Sequence, residues 1–285
     1  MQRLVMECGS QVVKQQAEEA EAASHVPDHS EEIVPRAWPE PDSPVMSVSL
    51  DGSMVNIRGE GWKEVKVATI SAVGADEETG EVHLMRHSYR AGLWEAATFA
   101  KQQWAEAWRR GIQRAKEVLS INDGALWIWK IIALCYSPCI EIIDWWHAVE
   151  KLWVAANAIL GQGQAATTAW VESQKTRLWQ GQLRLLVHHF RDLAPRGHPI
   201  PGPVWGAVSY IYAHRRRMRY DLFRHAGYPL GSGAVESGCK LVVIERLQQA
   251  GMRWSWAGAQ AMLALRCVLL SGRWSSPWYP SPQPT

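Results

Sequence analysis

The sequence lacks several things whose absence narrows its reading. No stretch of about 18 or more uncharged apolar residues occurs, and the first residues lack a basic segment followed by an apolar one. No membrane partner, membrane span or export signal is therefore expected. Cysteine is scarce and unpaired: Cys8, Cys135, Cys139, Cys239 and Cys267 are odd in number and scattered, which argues against a disulfide framework and fits a reducing compartment. Cys135 and Cys139 are separated by Tyr-Ser-Pro rather than the two residues of a zinc knuckle, and no second pair accompanies them. No cysteine or second histidine stands at a zinc spacing from His147 and Glu150. Packing is the default role of the cysteines.

What is present is a chain of 285 residues, 47% hydrophobic, enough to bury the core of one large domain or two ordinary ones. The net charge of +2 hides an uneven distribution. Residues 1–45 carry nine acidic and three basic side chains, whereas residues 196–273 carry eleven basic and three acidic ones. A basic C-terminal half suits a polyanionic partner, or is a solvated basic face. Seventeen tryptophans are an excess; many stand at helical spacing, such as Trp104 with Trp108, and are expected in the core or in helix packing.

Residues 1–44 read as a polar, acidic segment and linker, with a short helical possibility over 12–23 and a Pro-rich end. Residues 45–51, 65–73 and 81–87 have the β-branched content or alternation of strands. The spacing Leu93, Ala97, Ala100, Trp104, Trp108, Ile112, Ala115 predicts a long amphipathic helix. A short buried strand over 118–121, a helix over 124–134 and a strand over 139–143 follow. Three antiparallel strands and then strand, helix, strand is the order of an α/β, ribonuclease-H-like mixed sheet. Residues 148–230 read as an all-helical insertion, with helices over 148–160, 167–179, 182–190 and 204–224. The core resumes over 231–274, with a helix that starts near Gly233 and stops at Gly251 and a last one bracketed by Ser255 and Gly272. Residues 275–285 read as a disordered tail.

Three acids stand in distinctive surroundings. Asp51 in Val-Ser-Leu-Asp-Gly-Ser-Met-Val and Asp123 in Leu-Ser-Ile-Asn-Asp-Gly-Ala each close an apolar run. Glu236 in Gly-Ser-Gly-Ala-Val-Glu-Ser-Gly-Cys-Lys opens a helix among small residues. Taken singly, each Asp-Gly is equally a turn after a strand, and Glu236 a carboxylate near a helix start. Taken in order, the three can converge at one sheet edge and hold two hard divalent cations for displacement at phosphorus. Asp144 and His147, three apart, can meet on one helical face; they are either a helix cap with a buried histidine or an accessory pair beneath the acids. Lys240, one turn after Glu236, can pair with it or contact a phosphate. The run His214-Arg215-Arg216-Arg217-Met218-Arg219 is a solvated face or a set of DNA contacts.

The segments Asp-Gly-Ser-Met-Val with Gly-Trp-Lys-Glu-Val-Lys-Val, Ile-Ile-Asp-Trp-Trp-His-Ala-Val-Glu-Lys-Leu-Trp, and Tyr-Pro-Leu-Gly-Ser-Gly-Ala-Val-Glu-Ser-Gly-Cys-Lys resemble insertion-sequence DDE transposases, nearest the ISKra-type bacterial lineage related to Mutator-like elements. Gly251-Met252-Arg253-Trp254-Ser255 continues the likeness, which spans residues 45–274. The resemblance implies Asp51, Asp123 and Glu236 as the metal-binding triad, Mg²⁺ or Mn²⁺ as cofactor, and Asp144 with His147 as the accessory pair. It further implies cleavage at transposon ends and strand transfer to target DNA, by a homo-oligomer in the bacterial cytoplasm associated with the nucleoid. Relatives carry a DNA-binding region ahead of the first catalytic strand, where this chain has only its short acidic segment. A decayed DNA-binding remnant acting as a regulator, and a plain metal-dependent nuclease, are the alternatives.

Overall fold

A computed structural model describes residues 2–24, 39–193, 200–275 and 277–278. In chain order the elements are α1 (Gln2–Ser24), β1 (Val45–Ile57), β2 (Gly61–Ala75), β3 (Val82–Gly92), α2 (Ala96–Arg109), β4 (Glu117–Asn122), α3 (Leu126–Cys135) and β5 (Ile140–Ile143). Then come α4 (Trp145–Leu160), α5 (Ala165–Trp179), α6 (Leu183–Leu193), α7 (Gly202–His214), α8 (Tyr220–His225), α9 (Gly233–Gly238), α10 (Glu245–Leu247) and α11 (Trp256–Leu270). The fold is mixed α/β, with one five-stranded sheet of order β3-β2-β1-β4-β5. β1 pairs antiparallel with β2 and parallel with β4, and β2 pairs antiparallel with β3. This order is compatible with the ribonuclease-H-like expectation. The chain divides into two compact units: the described residues of Met1–Ser120, Trp127–Ile140 and Gly233–Thr285, and those of Ile121–Leu126 and Glu141–Ser232.

In the first unit β1 is almost twice as long as the alternation of 45–51 predicts. It continues to Ile57 because its partner strand runs back to Gly61, with Asp51 opposite Val67 and Ile57 opposite Gly61. The hairpin turns at Arg58-Gly59-Glu60, where Gly59 adopts φ 78° and Gly61 φ 75°, a region costly for other residues. Alternation along β1 puts Asp51 on the same face as Val55 and Ile57. Onto that face pack Cys239, Val242, Val243 and Leu247, together with Leu263 and Cys267 of α11. Cys239–Ile244 is a π-helical stretch between α9 and α10. Ser255 caps α11, its Oγ accepting from the Gly258 N–H at 3.1 Å.

The helical possibility of residues 12–23 lies within a longer helix, Gln2–Ser24, whose Val12, Ala20 and Ala23 are buried. α1 packs on α11 at Gly9, where even a methyl group would come within 2.5 Å of Ala261 Cβ. Charge fixes it as well. Arg90 of β3 is fully buried, and its guanidinium bonds Glu19 of α1 at 2.7 Å and lies 3.8 Å from Glu106 of α2. Arg273 reaches Glu106 at 2.9 Å, and Arg109 joins the same carboxylate. The expected linker residues 25–38 lie outside the described residues. Of the tail expected to be disordered, Trp278 packs beside Val12, Ala264 and Leu265, and residues 279–285 are outside the described set.

The second unit takes up the last residues of β4 and β5 and the helices α4 to α8. Every regular element described between Trp145 and His225 is helical. Its core is aromatic: Trp145 meets Trp179 and Tyr220 edge-on at 5.0 Å each, and the buried Tyr220 hydroxyl donates to the Ile143 carbonyl at 3.0 Å. The helix expected over 204–224 is broken, since Arg215–Met218 form a 3-10 turn between α7 and α8. Tryptophan is less internal than its spacing suggests. Among the described residues only Trp129 is buried below a tenth, while Trp62, Trp146, Trp179, Trp205, Trp256 and Trp274 are exposed.

Candidate functional site

Asp51 is a mid-strand residue rather than the start of a turn, which removes the simplest structural reason for an Asp-Gly pair there. Its Oδ1 accepts the Gly52 N–H at 2.7 Å, and its Oδ2 accepts the Cys239 thiol at 3.3 Å. Cys239 is buried, and burial, Asp51 and Glu236 all push its pKa upward. The thiol is therefore a neutral donor under two carboxylates. Glu236 sits in the first turn of α9 with its side chain exposed. α9 lies close on the sheet because Gly238 has no side chain: a methyl group there would stand 2.8 Å from Thr69 Oγ1 and 3.0 Å from the Tyr89 ring. The first unit thus brings Asp51 and Glu236 together around one thiol. Lys240 is exposed on the π stretch.

In the second unit, Asp123 follows β4 and makes an Asx turn, its Oδ1 accepting the Ala125 N–H at 2.8 Å. Asp144 follows β5, fully buried, and caps α4. Its backbone N–H donates to the Asn122 carbonyl at 2.8 Å, which joins the ends of the two strands. Oδ1 accepts the His147 N–H at 2.9 Å and lies 3.2 Å from His147 Nδ1, while Oδ2 accepts the Ser232 N–H at 2.5 Å. That set of bonds outweighs the burial that opposes ionisation, and holds the Asp144 pKa below its ordinary value. The bond from Asp144 raises the His147 pKa against the opposing effect of burial, with Asp123 and Glu150 pushing the same way. The structure shows the helix cap, with Asp144 also against the His147 imidazole, which is half-buried and not enclosed as the cap reading expects.

Two residues here were missed by sequence reasoning. Tyr210 of α7 lies against Gly124, where a methyl group would come within 2.9 Å of its hydroxyl. That hydroxyl is buried without a hydrogen-bond partner among the described residues. Burial first, then Asp123, Asp144 and Glu150, raise its pKa. Nothing in the sequence links a tyrosine so far along the chain to Asp123. Cys239 had a faint signal, since it falls three residues after Glu236, one helical turn away.

The arginine run splits by role. Arg217 is committed to Glu141 at 2.6 Å and Arg219 to Asp221 at 3.0 Å. Arg215 lies over the Tyr212 ring at 4.6 Å and is exposed, as is Arg216. Arg184, Arg215, Arg216 and Arg219 line a groove of about 500 Å³ in this unit.

In each unit the donors are of the kind a hard divalent cation takes: carboxylate oxygens of Asp51 and Glu236 in the first, where the Cys239 thiol is held protonated, and of Asp123 in the second. No helix among the described residues is long and apolar enough to cross a membrane. No protein-family model matches the chain, and no curated relative matches it. Among solved structures, the chain is similar to one described as the Drosophila P element transposase strand transfer complex, at 10% identity and a TM-score of 0.25, over 82% of this chain and 66% of that one. The chain thus spans just under two thirds of that protein's length, and at so low a score the similarity carries no weight for the chemistry.

Proposed function

We propose that this chain is a metal-dependent enzyme acting on DNA phosphodiesters. Within that class we read it as a DDE transposase that cleaves transposon ends and transfers the resulting strand to target DNA. The observation that carries the reading is Asp51: a carboxylate placed mid-strand, where no turn requires it, beside the helix of Glu236 and against a buried thiol kept neutral. Asp51, Asp123 and Glu236 would hold two Mg²⁺ or Mn²⁺ ions, with residues 148–230 as a helical insertion into a ribonuclease-H-like core. Ions held by these carboxylates would supply activation of an attacking oxygen and stabilisation of a leaving one.

The protein's own groups supply the rest. His147, held toward the cationic form by Asp144, offers a donor to a phosphate oxygen. Exposed Arg215 and Arg216 and the groove they share with Arg184 screen backbone charge, and Lys240 does the same on the Glu236 helix. Assembly of two DNA ends calls for a homo-oligomer.

The test is cleavage and joining of labelled linear DNA carrying the flanks of the source element, with Mn²⁺ or with EDTA. Metal-dependent nicking with joined product, lost in Asp51→Ala, Asp123→Ala and Glu236→Ala, is expected. Nicking without joining would reduce the reading to a nuclease, and binding without cleavage to a regulatory remnant. Cleavage retained in Asp51→Ala would sink the assignment.

A further inference from the structure

We propose that the first unit carries a second ligand site, a pocket for a nucleotide unit (an aromatic base with its phosphate) beside the β1–β2 turn. None of its residues belongs to the carboxylate set, so the inference does not rest on the metal reading. A cavity of about 490 Å³ opens there, within the range of small-ligand sites.

The pocket is built, not improvised by loose side chains. The Trp254 N–H donates to the Asn56 carbonyl at 2.9 Å, and the Arg58 N–H donates to the Trp254 carbonyl at 2.9 Å. Residue 254 is thereby stitched to the end of β1 as a parallel bridge to Ile57. Its indole Nε1 donates to the Leu247 carbonyl at 3.1 Å, fixing the ring as well. The segment Gly251-Met252-Arg253-Trp254-Ser255, which the transposase reading leaves without a task, forms this wall.

Charge selects the ligand. Arg58, Arg246 and Arg253 all line the cavity, and among the described residues no carboxylate does. The partners of Arg58 and Arg246 are neutral: Arg58 Nε donates to the Arg253 carbonyl at 3.1 Å, and Arg246 lies 4.0 Å from Met252 Sδ and 5.6 Å from the Trp254 ring centroid. Elsewhere in the same unit Arg90, Arg110, Arg114 and Arg273 are each ion-paired, while Arg86 donates to the Asp42 carbonyl; three guanidiniums lining one cavity without a carboxylate partner among the described residues are what calls for an anion. Guanidinium forks match phosphate oxygens, and an anion relieves their mutual repulsion.

Apart from Ser255, whose Oγ accepts the Gly258 N–H, the rest of the lining is apolar and adaptable. Met6, Met252 and Met262 present flexible thioethers that favour contact with aromatic rings. Inorganic phosphate would use the arginines and leave this half empty. A nucleotide fills both, whether free in solution or at the end of a DNA strand.

The experiment is calorimetric titration of the full chain in EDTA with inorganic phosphate, with 5′-dAMP, and with a 5′-phosphorylated oligothymidylate. Saturable binding of dAMP or of the oligonucleotide, at least ~10-fold tighter than phosphate, is expected. Binding of dAMP would make the source a free nucleotide, and binding of the oligonucleotide alone would make it a strand end. The double variant Arg58→Ala/Arg253→Ala, both side chains exposed, should weaken that binding ~10-fold or more without lowering the melting temperature. Asp51→Ala should bind as the parent does, so a failed cleavage assay and a failed nucleotide site are separately visible. Three results would overturn the proposal: no saturable binding of any probe, phosphate bound as tightly as nucleotide, or undiminished binding by the folded double variant.

Discussion

Cys239 donates its thiol proton to Asp51 across 3.3 Å, tying the strand that carries one acid to the helix that carries another. The thiol is neutral because two carboxylates and burial act on it in the same direction. Negative charge is therefore concentrated there.

Replacing Asp51 by Asn removes part of that charge at nearly constant volume. The melting temperature without metal should hold or rise, since repulsion is relieved. Metal-dependent cleavage should fall by more than the ~10–100-fold that loss of a supporting partner costs. Cys239→Ala, which removes only a supporting partner, should stay within that range. Differential scanning fluorimetry with the nicking assay separates the two effects, and a large drop in melting temperature for Asp51→Asn would mark the residue as structural.

Glu106 sets an acid limit on the first unit. Burial alone would raise its pKa, but Arg273, Arg109 and Arg90 overcome that and bring it down to about 2. A folded-state pKa below the unfolded one contributes stability that is complete above the unfolded value, here near 4.5, and is lost as pH falls toward about 2. Melting temperature should therefore decline between those values, and Glu106→Gln should flatten that part of the curve while lowering stability at neutral pH. An unchanged acid limb in the variant would contradict this.

At Gly9 two effects oppose each other. Alanine gains about 0.8–1 kcal/mol of helix propensity over glycine, but its methyl would stand 2.5 Å from Ala261 Cβ and 2.8 Å from the Ala261 carbonyl oxygen. Backbone cannot swing aside, so helix displacement should dominate, costing about 1–3 kcal/mol. Denaturant unfolding of Gly9→Ala measures the balance, and a stabilised variant would show that α1 does not hold this position.

His147 takes its raised pKa first from the bond with Asp144. A folded pKa above the unfolded one gives stability that is full at low pH and is lost as pH rises through the folded value. Asp144→Asn keeps an acceptor for the helix cap but removes the charge. The imidazole should then titrate lower, which ring-proton NMR would detect. An unmoved titration would mean that other groups govern the histidine.

Much of this could be read in advance, and the failures have physical causes. Ser255 and Gly272 bracketed α11 correctly because capping is a local property of the backbone. The strands around Asp51 were found from their β-branched residues, yet β1 was cut short at Asp51, since only pairing with β2 carries it on to Ile57. The helix of α1 shows in the sequence only over 12–23, because besides Val12 its contacts use Gly9, Ala20 and Ala23, small side chains that leave little hydrophobic signal. Tyr210 was invisible because its contact with Gly124 is long-range, and a glycine beside an aspartate already has a sufficient local explanation in a turn.

The π-helical stretch Cys239–Ile244 sets the rotational phase of Glu236 against the sheet. Such a stretch amounts to one extra residue in an α-helical ladder, so a single-codon deletion just after Cys239 would regularise the helix instead of breaking it. Val243 and Leu247 would keep their grip on the sheet. Glu236 and Cys239 would swing together by about 100° about the helix axis, off Asp51. Gly238 would leave its place against Thr69 and Tyr89 in the same swing, so a single codon exchanges the close seat of α9 on the sheet for a regular helix.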